Sequence, residues 1–353
     1  MARAFFHDDV TMDFTSDNCF GAMPEIIQAI VRANDGPMPS YGDDPVTARL
    51  KERMTAFFGL DVSVFPVITG TAANALSLAT LCPPHGAIFC HAESHIAMDE
   101  CGAPEFFTHG ARLVQLEGKD GKLTPDAILA ALPNFQRGVH GPRPSVVSIT
   151  QATESGTVYA PREIAGLAAL AREHGMTLHI DGARFANALV HLACEPADIT
   201  WKAGVDALSF GATKNGALGA EAVVFFNADL VRDFEYRRKK GGHLLSKMRF
   251  ISAQLDAYLE NGRWRANAER ANGLAKKMAQ GLKRVACAEI VYPVEANIVL
   301  VRLPDEMVAR LRAAGAGFYD WAPSAAGSTL IRLVFSFATP ERDIERFLDA
   351  VRA

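Results

Sequence analysis

The chain of 353 residues has the composition of a globular protein. It is 49% hydrophobic and 22% charged, with a formal net charge of −4, which excludes an intrinsically disordered or collagen-like chain. A pI near 6.2 argues against a dedicated nucleic-acid-binding protein, which usually carries a surplus of basic residues. No apolar run approaches the roughly 20 residues that a transmembrane helix needs, so we expect no membrane partner.

The six cysteines, at positions 19, 82, 90, 101, 194 and 287, include no Cys-X-X-Cys pair. This favours reduced thiols in a cytoplasmic protein. The alternative is a zinc site, because Cys90, His91, His95 and Cys101 lie within twelve residues. Their spacing matches no common zinc pattern and no second pair of ligands follows, so we expect no bound metal.

Short apolar runs alternate with segments of helical periodicity over the first 230 residues or so. The runs are continuous, which is typical of strands covered on both faces, and they lie at 64–68, 87–90, 112–115, 145–149, 177–180, 206–209 and 222–226. The helical segment at 161–174 has Pro161 in its first turn and Gly175 just after its end, the usual helix boundaries. The alternation predicts an α/β fold, with a mostly parallel seven-stranded sheet and helices on both faces.

The pattern changes near residue 260, where helices and strands follow in a mixed order typical of a smaller α+β domain. Predicted helices lie at 250–261, 267–284, 305–314 and 341–351, and predicted strands at 289–291, 298–302 and 330–335. We therefore expect a large α/β domain over 1–258 and a small C-terminal domain over 259–353.

The first chemical motif is TGTAANALSL at 69–78, directly after a predicted strand. Gly70 and Thr71 open a helix there, and small residues at a helix start let backbone N–H groups bind an anion such as a phosphate. The motif is neither a Walker loop nor GxGxxG. An ordinary strand-to-helix turn is the alternative interpretation.

Two further motifs place charged side chains at strand ends. Asp181 closes the strand in LHIDGAR at 178–184, at the edge of the sheet where α/β proteins bind ligands. It either pairs with a cation or protonated ring nitrogen, or caps the helix that follows; Arg184 could be its partner or could bind a carboxylate. Lys214, in SFGATKNGA at 209–217, is either a solvated surface charge or a buried nucleophile that binds a carbonyl covalently.

Together these motifs match the needs of pyridoxal 5'-phosphate. The helix start would bind its phosphate, Asp181 would keep its pyridine nitrogen protonated, and Lys214 would bind its aldehyde. His95 follows another predicted strand and would reach the same edge, where an imidazole can stack on the ring or transfer protons. A histidine that merely caps a helix is the alternative.

The sequence resembles the fold type I pyridoxal phosphate enzymes, which share the aspartate aminotransferase-like fold, and within them the threonine aldolase family. The resemblance spans about residues 14–350, and is strongest to the branch of low-specificity L-threonine aldolases and phenylserine aldolase. The segments that carry it are FTSDN (14–18), YGDDPVTARL (41–50), TGTAANAL (69–76), SHIAMDECGAPEFF (94–107), ITQATESG (149–156), LHIDGARFANA (178–188), WKAGVDALSFGATKNG (201–216), SKMRF (246–250) and TLIRLVFSFAT (329–339).

The resemblance implies roles for the catalytic and cofactor-binding residues. Lys214 corresponds to the lysine that binds the cofactor covalently, and Asp181 to the acid that pairs with the pyridine nitrogen. His95 corresponds to the histidine that stacks on the ring near the substrate hydroxyl. Gly70 and Thr71 correspond to groups that hold the phosphate.

The resemblance also implies residues around this centre. Arg249 would contact the phosphate, across a subunit interface. Ser16, Arg184 and Arg332 are similar to groups that bind the substrate carboxylate, and Arg184 also belongs to the cofactor contacts. Tyr41 resembles a substrate-binding residue that reaches a neighbouring subunit's site.

The implied reaction is the cleavage of an L-β-hydroxy-α-amino acid, namely L-threonine, L-allo-threonine or L-phenylserine, to glycine and an aldehyde. The resemblance implies a homo-oligomer, at least a dimer and more often a tetramer, with shared active sites. The alternatives are β-elimination or transamination on the same fold, and a cofactor-binding protein without catalysis. The intact site residues argue against this last alternative.

One segment departs from the family pattern. Many threonine aldolases carry a second active-site histidine in the loop that corresponds to ITQATESG, where this chain has Thr153 and Glu154. The departure leaves open whether His95, a water molecule or the cofactor phosphate takes the proton of the substrate hydroxyl.

Overall fold

A computed structural model describes residues 10–135, 137–325 and 327–352. The strands in these ranges are β1 (Met12–Asp13), β2 (Ser63–Val67), β3 (Gly86–His91), β4 (Arg112–Leu116), β5 (Arg143–Thr150), β6 (Thr177–Gly182), β7 (Ala207–Gly211), β8 (Glu221–Phe225), β9 (Glu289–Ile290), β10 (Ile298–Pro304), β11 (Ala316–Gly317), β12 (Tyr319–Ala325) and β13 (Ser328–Val334). The α-helices are α1 (Pro24–Ala33), α2 (Pro45–Phe58), α3 (Gly70–Leu81), α4 (His95–Met98), α5 (Ala103–Phe107), α6 (Pro125–Ala131), α7 (Pro161–Glu173), α8 (Phe185–Leu192), α9 (Phe234–Lys240), α10 (Arg249–Leu259), α11 (Arg263–Leu282), α12 (Asp305–Ala313) and α13 (Glu341–Arg352).

Seven strands form one large sheet in the order β2-β8-β7-β6-β5-β3-β4. The pairs from β7 through β6, β5 and β3 to β4 are parallel, whereas β8 runs antiparallel to both β7 and β2. Each of the seven apolar runs coincides with a strand of this sheet to within two residues at its ends, so the predicted α/β fold with a mostly parallel sheet is confirmed.

The parallel strands bring their carboxyl ends to one edge of the sheet. In the register of the sheet, Asp181 of β6 lies beside Thr150 of β5 on one side and Ser209 of β7 on the other. The segments that follow these strands therefore meet at a common edge, as in other open α/β sheets.

Helix α3 packs in the core beside this edge. Thr69 caps its start, because the Thr69 hydroxyl accepts a hydrogen bond from the Ala72 amide at 3.1 Å, as N-cap residues commonly do. The helix is buried along nearly all of its length. Its first turn is thus held rigidly at the sheet edge.

A second, four-stranded antiparallel sheet, in the order β12-β13-β10-β9, lies in the C-terminal part of the chain. This agrees with the predicted α+β character of that part. Helix α11 contributes Trp264 and Ala268 to the core of the large sheet, and its later residues, from Leu274 to Leu282, to the core of the small one. One long helix therefore contributes to both cores.

The N-terminal strand packs against the C-terminal part, a contact that the sequence did not indicate. Strand β1 pairs in parallel with β11. The Phe14 ring lies 5.4 Å from that of Phe335 and 5.5 Å from that of Phe347. The division at 258/259 stays a prediction. None of the helices in the described ranges has the length and apolar character that a membrane span requires.

Two leucines provide a matched test of the second core. Leu311 on α12 is fully buried, whereas Leu129 on α6 is 45% exposed. We expect Leu311→Ala to lower the free energy of unfolding by about 2–5 kcal/mol, because it removes buried contacts and leaves a cavity. Leu129→Ala should change it by about 0.5 kcal/mol or less. Urea unfolding measures both, and equal losses would contradict the assignment of this core.

Candidate active site

A cleft opens at the carboxyl edge of the large sheet. Five of the predicted site residues lie in its wall, since its lining is Asn18, Ile68, Thr69, Gly70, Thr71, Asn74, His95, Asp181, Ala183, Thr213, Lys214 and Glu221. These residues come from segments far apart in the chain, and the parallel topology brings them together.

Lys214 lies in a single 3-10 turn, Thr213–Asn215, that follows β7. The turn is anchored by the side chain of Asn215. Its Nδ2 donates hydrogen bonds to the Tyr258 hydroxyl and to the Trp264 backbone carbonyl, both at 2.8 Å. A Cβ atom at Gly211 would lie 2.7 Å from the Ala183 backbone, so only glycine lets the end of β7 approach the turn after β6 this closely. Lys214 thereby stays in the wall of the cleft that Asp181 also lines.

Glu221 supports the same turn from β8. Its Oε2 accepts a hydrogen bond from the Ala212 amide at 3.2 Å. Burial raises the pKa of the Glu221 carboxyl to about 7, although the neighbouring Thr213 and Lys214 lower it. Glu221 therefore titrates near neutral pH inside the cleft.

Asp181 is buried and is held by two donors. Its Oδ1 accepts from the Ala183 amide at 3.0 Å, and its Oδ2 accepts from Asn74 Nδ2 at 2.9 Å. The alternative that Asp181 caps the next helix is wrong, because α8 starts at Phe185 with Arg184 in the cap position and no side-chain cap. Arg184 directs its hydrogen bonds to a different acid.

His95 is the first residue of the short helix α4. Its Nδ1 lies 2.8 Å from Glu100 Oε1, and the same oxygen accepts from Asn74 Nδ2 at 2.8 Å. Burial would lower the pKa of His95, but the hydrogen bond with Glu100 raises it overall. Burial also raises the pKa of Glu100.

The cluster of cysteines and histidines does not form the zinc site considered from the sequence. In the described residues, the group whose ligand atoms lie within 4.8 Å of one another is His95, Glu100 and Asp181, without a cysteine. His91 is occupied elsewhere, because its Nε2 lies 3.2 Å from the Gly118 carbonyl and its Nδ1 accepts from the Glu93 amide.

The start of α3 presents free donors to the cleft. The Ala72 amide is satisfied by Thr69, whereas the amides of Gly70 and Thr71 have no acceptor within the described ranges. A Cβ atom at Gly70 would meet nothing within 4 Å. The site therefore offers open space in front of two N–H groups at a positive helix end.

The two arginines predicted to bind a carboxylate are paired with acids of this chain. Arg184 donates to Asp17 at 2.8 and 3.0 Å, and Arg332 donates to Glu154 at 3.0 Å. Glu154 also lies 3.9 Å from Arg184, so four buried charges form one cluster. Arg184 thus pairs with Asp17 and not with Asp181, the partner considered from the sequence.

Burial would raise the pKa of both acids, but the arginines lower it. The Arg184 guanidinium holds the pKa of Asp17 below its usual range. Arg184 and Arg332 together lower the pKa of Glu154 to about 2. Both acids are therefore ionised at neutral pH, and the arginines are charge-balanced in the chain itself.

Three other predicted site residues lie outside the lining of the cleft. Ser16 is half-buried and its hydroxyl accepts from the Asn18 amide at 3.1 Å. Tyr41 is 45% exposed, with the Lys239 ammonium 4.4 Å from its ring centre. Arg249 begins α10, and its buried Nε has no hydrogen-bond partner among the described residues.

The residues of the cleft suit pyridoxal phosphate. Two unsatisfied amides at a helix start fit a phosphate. The buried carboxylate of Asp181 fits a protonated ring nitrogen. Lys214 is half-buried at the same edge, where an amine can bind an aldehyde.

Comparisons with known proteins agree with this geometry. Residues 13–306 match the family model of the beta-eliminating lyases. The chain is 42% identical over 345 residues to the low specificity L-threonine aldolase of Pseudomonas sp. (strain NCIMB 10558), covering 98% of both chains. It is 43% identical over 344 residues to the enzyme of the same name from Pseudomonas aeruginosa, covering 98% of this chain and 97% of the other.

A solved structure of Leishmania major threonine aldolase superposes with a TM-score of 0.91 at 27% identity, covering 97% of this chain and 98% of that one. This chain therefore belongs to the threonine aldolases within the beta-eliminating lyase family, which have the fold of type I pyridoxal phosphate enzymes. Its cofactor is pyridoxal 5'-phosphate, and it is a lyase.

Sequence reasoning missed four polar residues of the site, namely Asp17, Asn74, Glu100 and Glu221. Each is buried, and buried polar side chains need partners. Three of them lie within the motifs that carry the family resemblance: FTSDN, TGTAANAL and SHIAMDECGAPEFF. Glu221 had a weaker signal, as an acid at the start of the apolar run 222–226.

The buried acids predict how stability responds to low pH. Because the pKa of Glu154 is lowered from 4.5 to about 2, the stability that it contributes is present above pH 4.5 and lost as the pH falls toward 2. We expect Glu154→Gln to be less stable at pH 7, since Arg332 loses its partner. We expect it to lose less stability than the unmodified protein between pH 5 and pH 3.

The measurement is the urea midpoint at several pH values. Glu173→Gln, at an exposed position on α7, is the matched control and should follow the unmodified protein. If Glu154→Gln also follows the unmodified protein at every pH, the charge cluster does not stabilise the fold as described.

Proposed function

We propose that this enzyme cleaves L-threonine and related L-β-hydroxy-α-amino acids to glycine and an aldehyde. The observation that carries the proposal is the 42–43% identity to low specificity L-threonine aldolases over nearly the whole chain. The convergence of Lys214, Asp181 and His95 on one cleft supports it. We include L-allo-threonine and L-phenylserine as substrates, because they differ from L-threonine only at Cβ.

The residues of the cleft have separate tasks in this proposal. Lys214 binds the cofactor aldehyde, the amides of Gly70 and Thr71 bind its phosphate, and Asp181 pairs with its ring nitrogen. When bound, pyridoxal phosphate accepts the negative charge that develops at Cα. His95 lies beside Asp181 in the wall of the cleft and is the side chain we assign to the hydroxyl proton.

The substrate carboxylate is assigned to the arginine cluster. Arg332 and Arg184 are planar donors suited to a carboxylate, and Ser16 directly precedes Asp17, the partner of Arg184. The Arg332 Nε is buried with no hydrogen-bond partner among the described residues. This free donor supports a contact with the substrate carboxylate in which Arg332 keeps its hydrogen bond to Glu154.

Tyr41 and Arg249 are assigned to the active site of a neighbouring subunit. Both lie outside the lining of the cleft, and large apolar side chains are exposed, among them Ile68 in that lining, Met98 on α4 and Phe106 on α5. These observations support a homo-oligomer with shared sites, for which we propose a tetramer. We also propose a cytoplasmic location, in keeping with the six free cysteines of the described residues.

The direct test is turnover of L-threonine and L-threo-phenylserine by the cofactor-loaded enzyme. We expect glycine and the matching aldehyde in equal amounts from both. Lys214→Ala should lose the absorbance band of covalently bound cofactor and the activity with it. The family name favours β-elimination as the second candidate, and 2-oxobutanoate and ammonia from L-threonine would identify that reaction instead.

A second prediction concerns Asp181. Asp181→Ala removes the carboxylate that would keep the ring nitrogen protonated, so kcat for glycine release should fall by at least about 100-fold. The band of bound cofactor should persist, because Lys214 and the amides of α3 remain. Steady-state kinetics and the absorption spectrum test this, and a kcat near that of the unmodified enzyme would contradict the assignment.

A further inference from the structure

Glu100 is the buried acid that connects the two functional halves of the cleft. Its side chain has no exposed surface, and its Oε1 receives hydrogen bonds from both His95 and Asn74. The second hydrogen of the Asn74 amide goes to Asp181. His95, Glu100, Asn74 and Asp181 therefore form one continuous chain of hydrogen bonds.

The charges fix the orientation of the Asn74 amide. Its nitrogen faces two carboxylates, and a flipped amide would place its oxygen against both. The Asn74 oxygen is buried with no hydrogen-bond partner in the described ranges. Glu100 Oε2 is likewise buried without a partner in those ranges, so the cluster leaves two acceptors unsatisfied while each carboxylate still receives a donor from Asn74.

The same logic fixes the tautomer of His95. An ionised carboxylate only accepts hydrogen bonds, so His95 Nδ1 must carry a hydrogen. In the neutral ring the lone pair then lies on Nε2, the nitrogen that remains free to accept a proton. A histidine held in this way by an acid is suited to act as a general base.

Several charges face His95 from the elements around it. Glu100 of its own segment, Asp181 of β6 and Glu154 of the loop after β5 raise its pKa, whereas Lys214 lowers it. Among these groups, Glu100 makes the hydrogen bond and has the largest raising effect. Loss of the Glu100 charge should therefore lower the pKa of His95.

We propose that Glu100 is a positioning residue that makes His95 the acceptor of the substrate's β-hydroxyl proton. The inference rests on the proposed aldol cleavage. The hydroxyl proton passes to His95 Nε2, the electron pair of the O–H bond forms the aldehyde carbonyl, and the pair of the Cα–Cβ bond stays on Cα. Glu100 stabilises the charge that His95 gains and keeps the ring in the required tautomer.

The test is the Glu100→Gln variant, which preserves size and an acceptor oxygen but removes the charge. The low-pH limb of kcat/KM for L-threonine reports the protonation of His95, because a protonated ring cannot take the proton. We expect this limb to move to lower pH. We also expect kcat to fall by about 10- to 100-fold, because the variant loses part of the rate enhancement that a general base usually provides. Glu100→Asp should recover part of the loss, since it restores the charge.

A measurement without substrate makes the test independent of turnover. Nitrogen-15 NMR of the His95 ring, assigned by the loss of its signals in His95→Gln, should show hydrogen on Nδ1 in the unmodified protein. Glu100→Gln should lower the pKa of the ring and mix the tautomers. Glu105→Gln, which removes a charge from the same segment, is the control and should leave both the spectrum and the pH profile unchanged.

The outcomes separate this inference from the proposed function. If the unmodified enzyme releases no glycine from L-threonine, the proposed function fails. If it does release glycine, but Glu100→Gln keeps the pH profile and the His95 tautomer of the unmodified enzyme, the role of Glu100 is overturned. Circular dichroism of each variant checks folding. If Glu100→Gln does not fold, the NMR spectrum of the unmodified protein provides the test, because a hydrogen on Nε2 instead of Nδ1 of His95 would overturn the role of Glu100.

Discussion

The candidate site depends on the two hydrogen bonds that the side-chain amide of Asn74 donates. Two buried carboxylates, Asp181 and Glu100, lie close enough to repel each other, and one amide nitrogen gives a hydrogen bond to each. Asn74 stands one turn into α3, so the helix start that offers free amides also holds the acids. Without this donor, Asp181 would keep only the Ala183 amide, and Glu100 only His95. Two buried like charges would then face each other with no hydrogen between them, which is costly in a protein interior.

Buried charges elsewhere in the site obey the same rule. Asp17 and Glu154 balance Arg184 and Arg332 within a single cluster. Glu154 stands in the loop after β5, where the sequence departs from the pattern of the family it resembles, and it is an arginine partner whose pKa is lowered to about 2. Such an acid stays ionised near neutral pH and is a poor proton acceptor, in keeping with the proposed assignment of the hydroxyl proton to His95.

The strands and most of the fold could be predicted from the sequence because their signals are local. A continuous apolar run such as 145–149 indicates a strand covered on both faces, and Pro161 and Gly175 mark the helix between two such strands. Asp181 and Lys214 were identifiable because Asp181 closes one strand and Lys214 follows another, and parallel strands bring their ends together. The docking of β1 and Phe14 on the C-terminal core carried no such local signal.

The sequence by itself determined the fold class, the family resemblance and the site residues that stand in recognisable motifs, namely Gly70, His95, Asp181 and Lys214. Only the tertiary structure decided which charges pair. Asp17 and Arg184 are 167 positions apart, and Arg332 and Glu154 are 178 apart. A sequence shows that a buried charge needs a partner, but many residues could supply it. Only folding determines which two side chains leave water at the same place.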